Sequence, residues 1–521
     1  MSKRSRRPNR EAIKAAIKER KQAQQALRKT QEAAGLIAPP SATISNRKCE
    51  QKTEEEERAA RLDAVTEQIK IYRAQLPVLL KRLSKIKDPR NPKKIRHKLT
   101  VLLMYGILCF AFQMSSRREA TRKMTRPMFM ANLRELFPEL EDLPHHDTLA
   151  RLLAQIGDVN EIEAAHLDMI RHLIRNKKFE RYLIGGCYPI AIDGTQKFKR
   201  SDLWDEECLE RKVRTKNKAD DDTEEPEEKR QYYVYVLEAN LAFHNGMVIP
   251  LLSEILSYTE GDDKRNKQDC EQRAFRRLAE RLKKSFSHLP IMVLLDGLYP
   301  NGPVMDLCRK YNWDFMIVLQ DDSLPLVWEE MEGLKKLQPK NRLDQDWGER
   351  RQRFRWVNNI DYRYACPATR KEKQLILHAV ICEESWEEIA PDSTDVATKS
   401  SRHVWLSAEP LHKRTVHERC NLGARHRWGI ESGILVEKHQ GYHYEHCFSY
   451  DWHVMCGYHY LMRLGHALNV LARHSYALAK YVRDLGVRGL IAFVRSTIAG
   501  PWIDPEDLRR IAAGTCQLRL E

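Results

Sequence analysis

The pattern of apolar positions changes character several times along the 521 residues. Residues 9–34 are rich in Ala, Lys, Gln and Arg, all good helix formers, but their apolar stripe is thin. The segment therefore reads as a solvated helix that orders on a partner. Gly35 to Asn46 (GLIAPPSATISN) reads as a linker. Leu62, Val65, Ile69, Tyr72 and Leu76 then recur at spacings of three and four, an a/d seam of about two heptads that Pro77 interrupts. A helix docked on its own domain and a dimer coil fit this seam equally. Leu99 to Met114 is an apolar run of about 16 residues, short of the roughly 20 that span a bilayer, and predicts a buried core helix. Another helix is expected from Asp147 as N-cap, through Leu149, Leu152, Leu153 and Ile156, to a stop at Gly157.

The texture shifts at Tyr182. Pro189 to Ile192 is an apolar run ending in Asp193 and Gly194. Trp204 to Lys229 contains DDDTEEPEEK and reads as a disordered surface loop. Tyr232–Leu237 and Met247–Leu252 are strand-like, and an Arg-rich helix is expected over about 266–286. LPIMVLLDG reads as a strand ending in Asp296 and Gly297, followed by a helix from Pro303 to Tyr311 and a strand over Phe315–Leu319. This order predicts an α/β domain with a mixed sheet. Past Leu319 the chain is β-rich and polar, with candidate strands Arg353–Val357, Leu375–Ile381 and His403–Leu406; from about 420 it returns to helix.

Charge narrows the class of partner. Lys and Arg number 89 against 73 Asp and Glu, a net of +16, and residues 1–48 alone carry net +10. Residues 81–98 add Lys81, Arg82, Lys85, Lys87, Arg90, Lys93, Lys94, Arg96 and Lys98 against Asp88, and Arg117, Arg118, Arg122, Lys123 and Arg126 continue the block. Such one-signed density favours a polyanion, nucleic acid first and an anionic membrane second. An apolar share of 42% excludes global disorder. No apolar core follows MSKRSRRPNR, so no secretory signal is expected. The 12 cysteines lack CxxC spacing and read as reduced thiols of a cytosolic protein. His443, His446, Cys447, His453, Cys456 and His459 offer zinc-type ligands without a standard spacing, and the last three fall on one helical stripe that suits packing.

The chemistry rests on carboxylates. Asp193 and Asp296 each close an apolar strand and precede Gly. At that position an aspartate either starts a turn or projects into the crevice where α/β sheets bind ligands. Mg²⁺ takes only one or two carboxylates per ion, and two ions can drive in-line displacement at phosphorus, so a third carboxylate is wanted. ARHRWGIESGILVEKHQGY supplies Glu431, with Arg427 one helical turn before it and Lys438 two turns after. Trp428, Ile430, Ile434 and Leu435 are expected to anchor this helix. Without the aspartates, it would read as an exposed helix with charge pairs.

Together these segments resemble bacterial insertion-sequence DDE transposases of the IS4-like and H-repeat-like groups, over about residues 82–475. KDPRNPKKIRHKL and LPHHDTLARLLAQIG resemble their helical N-terminal region, and AIDGT the first catalytic block. NKQDCEQRAFRRL resembles the middle helix, LLDGLYPNGPVMDLCRKYNWDFMIVLQDD the second block, and RWGIESGILVEKHQGY the signature with the catalytic Glu and a Lys. The IS4-type signature has Tyr three residues before its Arg; here that position is Ala424. The resemblance implies a ribonuclease-H-like α/β core with a β-rich insertion domain and helical N- and C-terminal regions. It implies Asp193, Asp296 and Glu431 as the catalytic, metal-binding triad for two Mg²⁺ ions, with Mn²⁺ as a substitute. Arg427 and Lys438 would contact DNA phosphates.

The 135 residues from Asp296 to Glu431 exceed the roughly 40 that one helix, one strand and short loops need, which leaves about 90 for the insertion. The expected divisions are a basic flexible arm (1–48), a heptad-like helix (49–86), a helical DNA-binding domain (87–175) and the core's first part (176–329). The insertion (330–418), the catalytic Glu helix (419–475) and a C-terminal helical region (476–521) follow. Trp428 is close enough to Glu431 to stack on an unpaired base, although a core tryptophan is the commoner placement. The function expected is cleavage at element ends and strand transfer into target DNA, by a homodimer on DNA, in the bacterial cytoplasm with the nucleoid. The alternatives are a metal-dependent DNA nuclease on the same fold and a decayed or repurposed DNA-binding derivative.

Overall fold

In a computed structural model of the chain, residues 10–33, 49–214, 228–257, 267–367, 369–389 and 396–521 are described. The expected linker over 35–46 lies outside these residues, as does half of the acidic loop, 215–227. Helix α1 (Arg10–Ala33) forms where its composition predicts it, and none of its described side chains is buried.

Helix α2 (Glu54–Leu83) opens on Thr53, whose side chain accepts from the Glu56 amide, with four glutamates in its first turn complementing the helix dipole. Its apolar stripe, Val65, Ile69, Tyr72, Leu76, Leu79 and Leu83, is buried within this chain. Pro77 does not interrupt the helix. It sits on the exposed side, where water can satisfy the carbonyl that loses its donor. The next helices are α3 (Leu99–Ala111), α4 (Arg117–Met124), α5 (Pro127–Leu136), α6 (His146–Leu153) and α7 (Asn160–Arg175). The expected cap of α6 shifts by two residues: His145, not Asp147, accepts from a first-turn amide, and the helix ends at Leu153. Helix α3 is buried on nearly every side, and among the described residues no helix is long and apolar enough to cross a membrane.

What covers α3 is a helix from the other end of the chain, Trp452–Arg473, in which every residue from Val454 to Ala472 is buried. The two approach closely because glycines face the contact. A Cβ at Gly465 would lie 2.8 Å from the Phe110 side chain, and one at Gly106 2.7 Å from Leu461. The N-terminal helices therefore share one hydrophobic core with the C-terminal ones and with the sheet.

Among the described residues, ten strands form that sheet. The first four are β1 (Tyr188–Arg200), β2 (Leu209–Arg214), β3 (Glu228–Ala242) and β4 (Val248–Ile255). Helix α8 (Lys267–Ser285) leads to β5 (Ile291–Leu295), and α9 (Gly302–Lys310) to β6 (Asp314–Val318). β1 pairs antiparallel with β3, which pairs with β2 along its first half and β4 along its second. On its other side β1 is parallel to β5, and β5 to β6. Side chains alternate between two cores. Ile190, Ile192, Val293 and Phe315 face one, and Ala191, Met292, Leu294 and Met316 the other.

Three differences from the sequence reading bear on the site. β2 forms inside the stretch expected to be loop, because an edge strand with one partner needs little apolar alternation. β1 continues past Asp193 to Arg200, held by β3 after β5 has ended. The β-rich stretch contains a helix, α10 (Pro325–Leu337), and four strands, β7 (Arg342–Trp347), β8 (Arg350–Ala365), β9 (Glu372–Ile389) and β10 (Val396–Ser407). These strands extend the same sheet, because β10 pairs antiparallel with β6.

Candidate active site

The parallel pairing of β1 with β5 ends at Ala191 and Leu294. Asp193 lies just beyond it on β1, and Asp296 just beyond Leu295 on β5. Both carboxylates thus reach the point where two parallel strands part. Asp193 is interior to its strand, opposite Glu238 of β3, and only Asp296 ends one. Asp193 Oδ1 accepts from the Gly194 amide at 2.9 Å, and Asp296 Oδ1 from the Leu298 amide at 2.9 Å.

Glu431 arrives from the far side of the extended sheet. After β10 the chain makes a π-helical turn over Glu418–Gly423 and a 3₁₀ turn over Ala424–Trp428, then α11 (Gly429–His439). Side chains of β6 and of the extending strands fix this approach. Arg419 binds Asp314 through two hydrogen bonds of 2.6 and 2.7 Å. Asn421 bonds Gln352 of β8 at 2.8 Å, and Arg425 bonds the buried Glu384 of β9. Ile430 and Ile434 anchor α11 in the core, whereas Leu435 and Trp428 are exposed, Trp428 by 61%. The expectation of a core tryptophan is overturned: its ring stands outside, beside the Arg427 guanidinium at 4.6 Å.

Arg427 is buried between two of the acids. Nη2 donates to Glu431 Oε1 at 2.9 Å, and Nη1 lies 4.0 Å from Asp193 Oδ2. Its Nε and Nη1 have no hydrogen-bond partner. Burial raises the Asp193 carboxyl to about 6, and the charges of Asp296 and Glu431 push the same way while Arg427 opposes them. The structure thus brings Asp193, Asp296, Glu431 and Arg427 together. Lys438 lies in the last turn of α11, on the face of Glu431, with its ammonium 3.1 Å from Glu445.

Among the described residues, the group of three metal-ligating residues whose donor atoms all lie within 4.8 Å of one another is His145, His146 and Asp147. There His146 Nδ1 is engaged by Thr121 at 2.8 Å, and Arg117 and Arg118 oppose a cation. The three acids of the site do not form such a group. His443, His446, Cys447, His453, Cys456 and His459 form no such group; His459 Nε2 lies instead 3.0 Å from Ser253 Oγ inside the core.

Sequence reasoning missed the wall behind the aspartates. The Tyr235 ring fills the space a side chain at Gly194 would take, with its hydroxyl 2.7 Å from that Cβ position. Tyr299 is buried with an unpartnered hydroxyl; burial and the charges of Glu271, Asp296 and Asp193 keep it protonated. Strand alternation in YYVYV places Tyr235 inward, but nothing in NKQDCEQRAFRRL singles out Glu271.

Residues 80–170 match the family model described as DDE_Tnp_1-associated, a match that covers less than a fifth of the chain. It points to DDE-type transposases and falls on the helices from the end of α2 into α7. No curated protein matches the chain.

Proposed function

We propose that this protein is a DNA transposase of the DDE type, of the IS4-like or H-repeat-like insertion-sequence kind, with a ribonuclease-H-like core. The observation that carries the reading is the convergence of Asp296 and Glu431 on Asp193, three acids far apart in sequence. The sheet order supports the fold assignment: three antiparallel strands, β4, β3 and β1, followed by the parallel pair β5 and β6, with the first two acids on β1 and after β5. The matched N-terminal region supports the family.

The donor set is all oxygen and like-charged, which fits a hard divalent cation, Mg²⁺ or in its place Mn²⁺. Asp193 and Asp296 would hold one ion, and Glu431 would complete the site for a second; when bound, the ions supply Lewis acidity at the scissile phosphate. Arg427, expected to contact that phosphate, has its Nε and Nη1 buried and acts on the acids instead, holding Glu431 and facing Asp193. Lys438 holds a neighbouring phosphate, and the exposed Trp428 ring stacks on an unpaired base. Tyr235 and Tyr299 seal the site from behind. The reaction is hydrolysis at the element end, then attack of the freed 3′-hydroxyl on target DNA. Cutting two ends together favours a homodimer on DNA, in the cytoplasm.

The test is an assay with donor DNA, target DNA and Mg²⁺, the donor carrying the terminal inverted repeats that flank the coding region. Joined products support transposition. Cleavage without joining leaves a nuclease on the same fold, and binding without cleavage a DNA-binding derivative.

A further inference from the structure

Glu437 lies six residues after Glu431 on α11, about 9 Å along the helix axis, and is fully buried. The helix Trp452–Arg473, numbered α12, holds it. Arg463 Nη1 lies 3.2 Å from both Glu437 oxygens, and His466 Nδ1 2.7 Å from Oε1. The same guanidinium reaches the other way into β3, where Nη2 lies 2.6 Å from Asn240 Oδ1 and 3.0 Å from Glu238 Oε2. Glu238 also accepts from Tyr444 at 2.7 Å and from Ser253 at 2.6 Å. Glu238 is the register partner of Asp193 across β1 and β3. One buried arginine therefore joins the helix that carries Glu431 to the strand pair that carries Asp193.

This cluster is sealed from solvent, so it contacts neither DNA nor a small ligand. Stability alone is a weak reason for it, because well-packed apolar residues of the same volume are often as stable or more so. Directional hydrogen bonds add a fixed register that apolar contacts leave free to slide. We propose that Arg463 is a positioning residue: through Glu437 and Glu238 it fixes α11 against β3 and sets the place of Glu431 relative to Asp193. This inference rests on the DDE reading of the site.

The experiment is a Mn²⁺ titration of the full-length protein followed by electron paramagnetic resonance, with thermal unfolding recorded on the same samples. Wild type and Asp193→Asn define the site. If wild type binds no Mn²⁺, the DDE reading falls and this inference with it. Glu437→Gln keeps the shape of the side chain but removes the charge that Arg463 grips. A folded Glu437→Gln protein whose Mn²⁺ affinity drops by about tenfold or more, the usual cost of disturbing a group that orients a metal ligand, supports the positioning role. A folded Glu437→Gln protein with wild-type Mn²⁺ affinity overturns it and leaves the DDE reading intact. Should Glu437→Gln not fold, Arg463→Lys, which keeps the charge but cannot span Glu437 and Glu238 together, is judged by the same two outcomes.

Discussion

Arg427 and Glu431 are joined by a 2.9 Å hydrogen bond, and the second terminal nitrogen of that guanidinium points at Asp193 across 4.0 Å. A single buried cation thus partly neutralises two acids that also repel each other. Removing it should raise the Asp193 carboxyl further above about 6. Titration of Asp193 by carboxyl-resolved NMR in Arg427→Met checks this, and an unchanged or lower value contradicts it. DNA cleavage by this variant should fall by about 10- to 100-fold, the usual cost of losing a group that orients a metal-binding side chain.

The raised carboxyl of Asp193 is also a statement about stability. Between its ordinary value of 3.8 and about 6 the folded chain holds a proton the unfolded chain has released, so stability falls as pH rises through that window. Asp193→Asn removes the penalty. The variant should be more stable than wild type by about 3 kcal/mol above pH 7, with the gain shrinking to nothing below about pH 4. Denaturant unfolding at several pH values measures the difference; a variant less stable at pH 7 goes against it.

Glu384 predicts the opposite sign. Burial would raise its carboxyl, but hydrogen bonds from His403 and Gln352 and the charge of Arg425 hold it well below the usual range. Its contribution is present above its ordinary value of 4.5 and is lost as pH falls through the folded value. Glu384→Ala leaves Arg425 without its acid and should cost about 3–5 kcal/mol at pH 7. Because Arg425 leads directly into Arg427 and α11, cleavage should fall with it.

Trp428 is 61% exposed and stacks on Arg427. Trp428→Ala should change stability by less than about 0.5 kcal/mol. It should weaken binding to element ends that carry an unpaired base by about 1–3 kcal/mol, with fully paired ends little affected. Fluorescence anisotropy on the two substrates separates these effects.

The sequence carried the parts of the site that lie next to strong local patterns. Asp193 and Asp296 follow apolar runs, and Glu431 sits in a helix with recognisable charge spacing; the structure gathers all three. What the sequence hid depends on distant partners. β1 runs past Asp193 because β3 supports it, and TQKFKR alone does not announce a strand. Nothing local in the β-rich stretch announces that β10 continues the sheet from β6. Glu238 reads as a polar break in VYVLEANLA until Arg463, more than 200 residues on, supplies its charge. Pro77 and Trp428 differ from expectation for one reason: which side of a helix faces solvent is set by packing against elements elsewhere in the chain.

The most direct test of the acid triad is cleavage of end-labelled element DNA with Mg²⁺ by wild type and Asp193→Asn, with end binding measured by gel shift on the same preparations. Wild type should cut, and the variant should bind the ends as tightly while cutting nothing. An Asp193→Asn protein that cuts with Mg²⁺ as wild type does would contradict the assignment of Asp193, and with it the site built around Asp296 and Glu431.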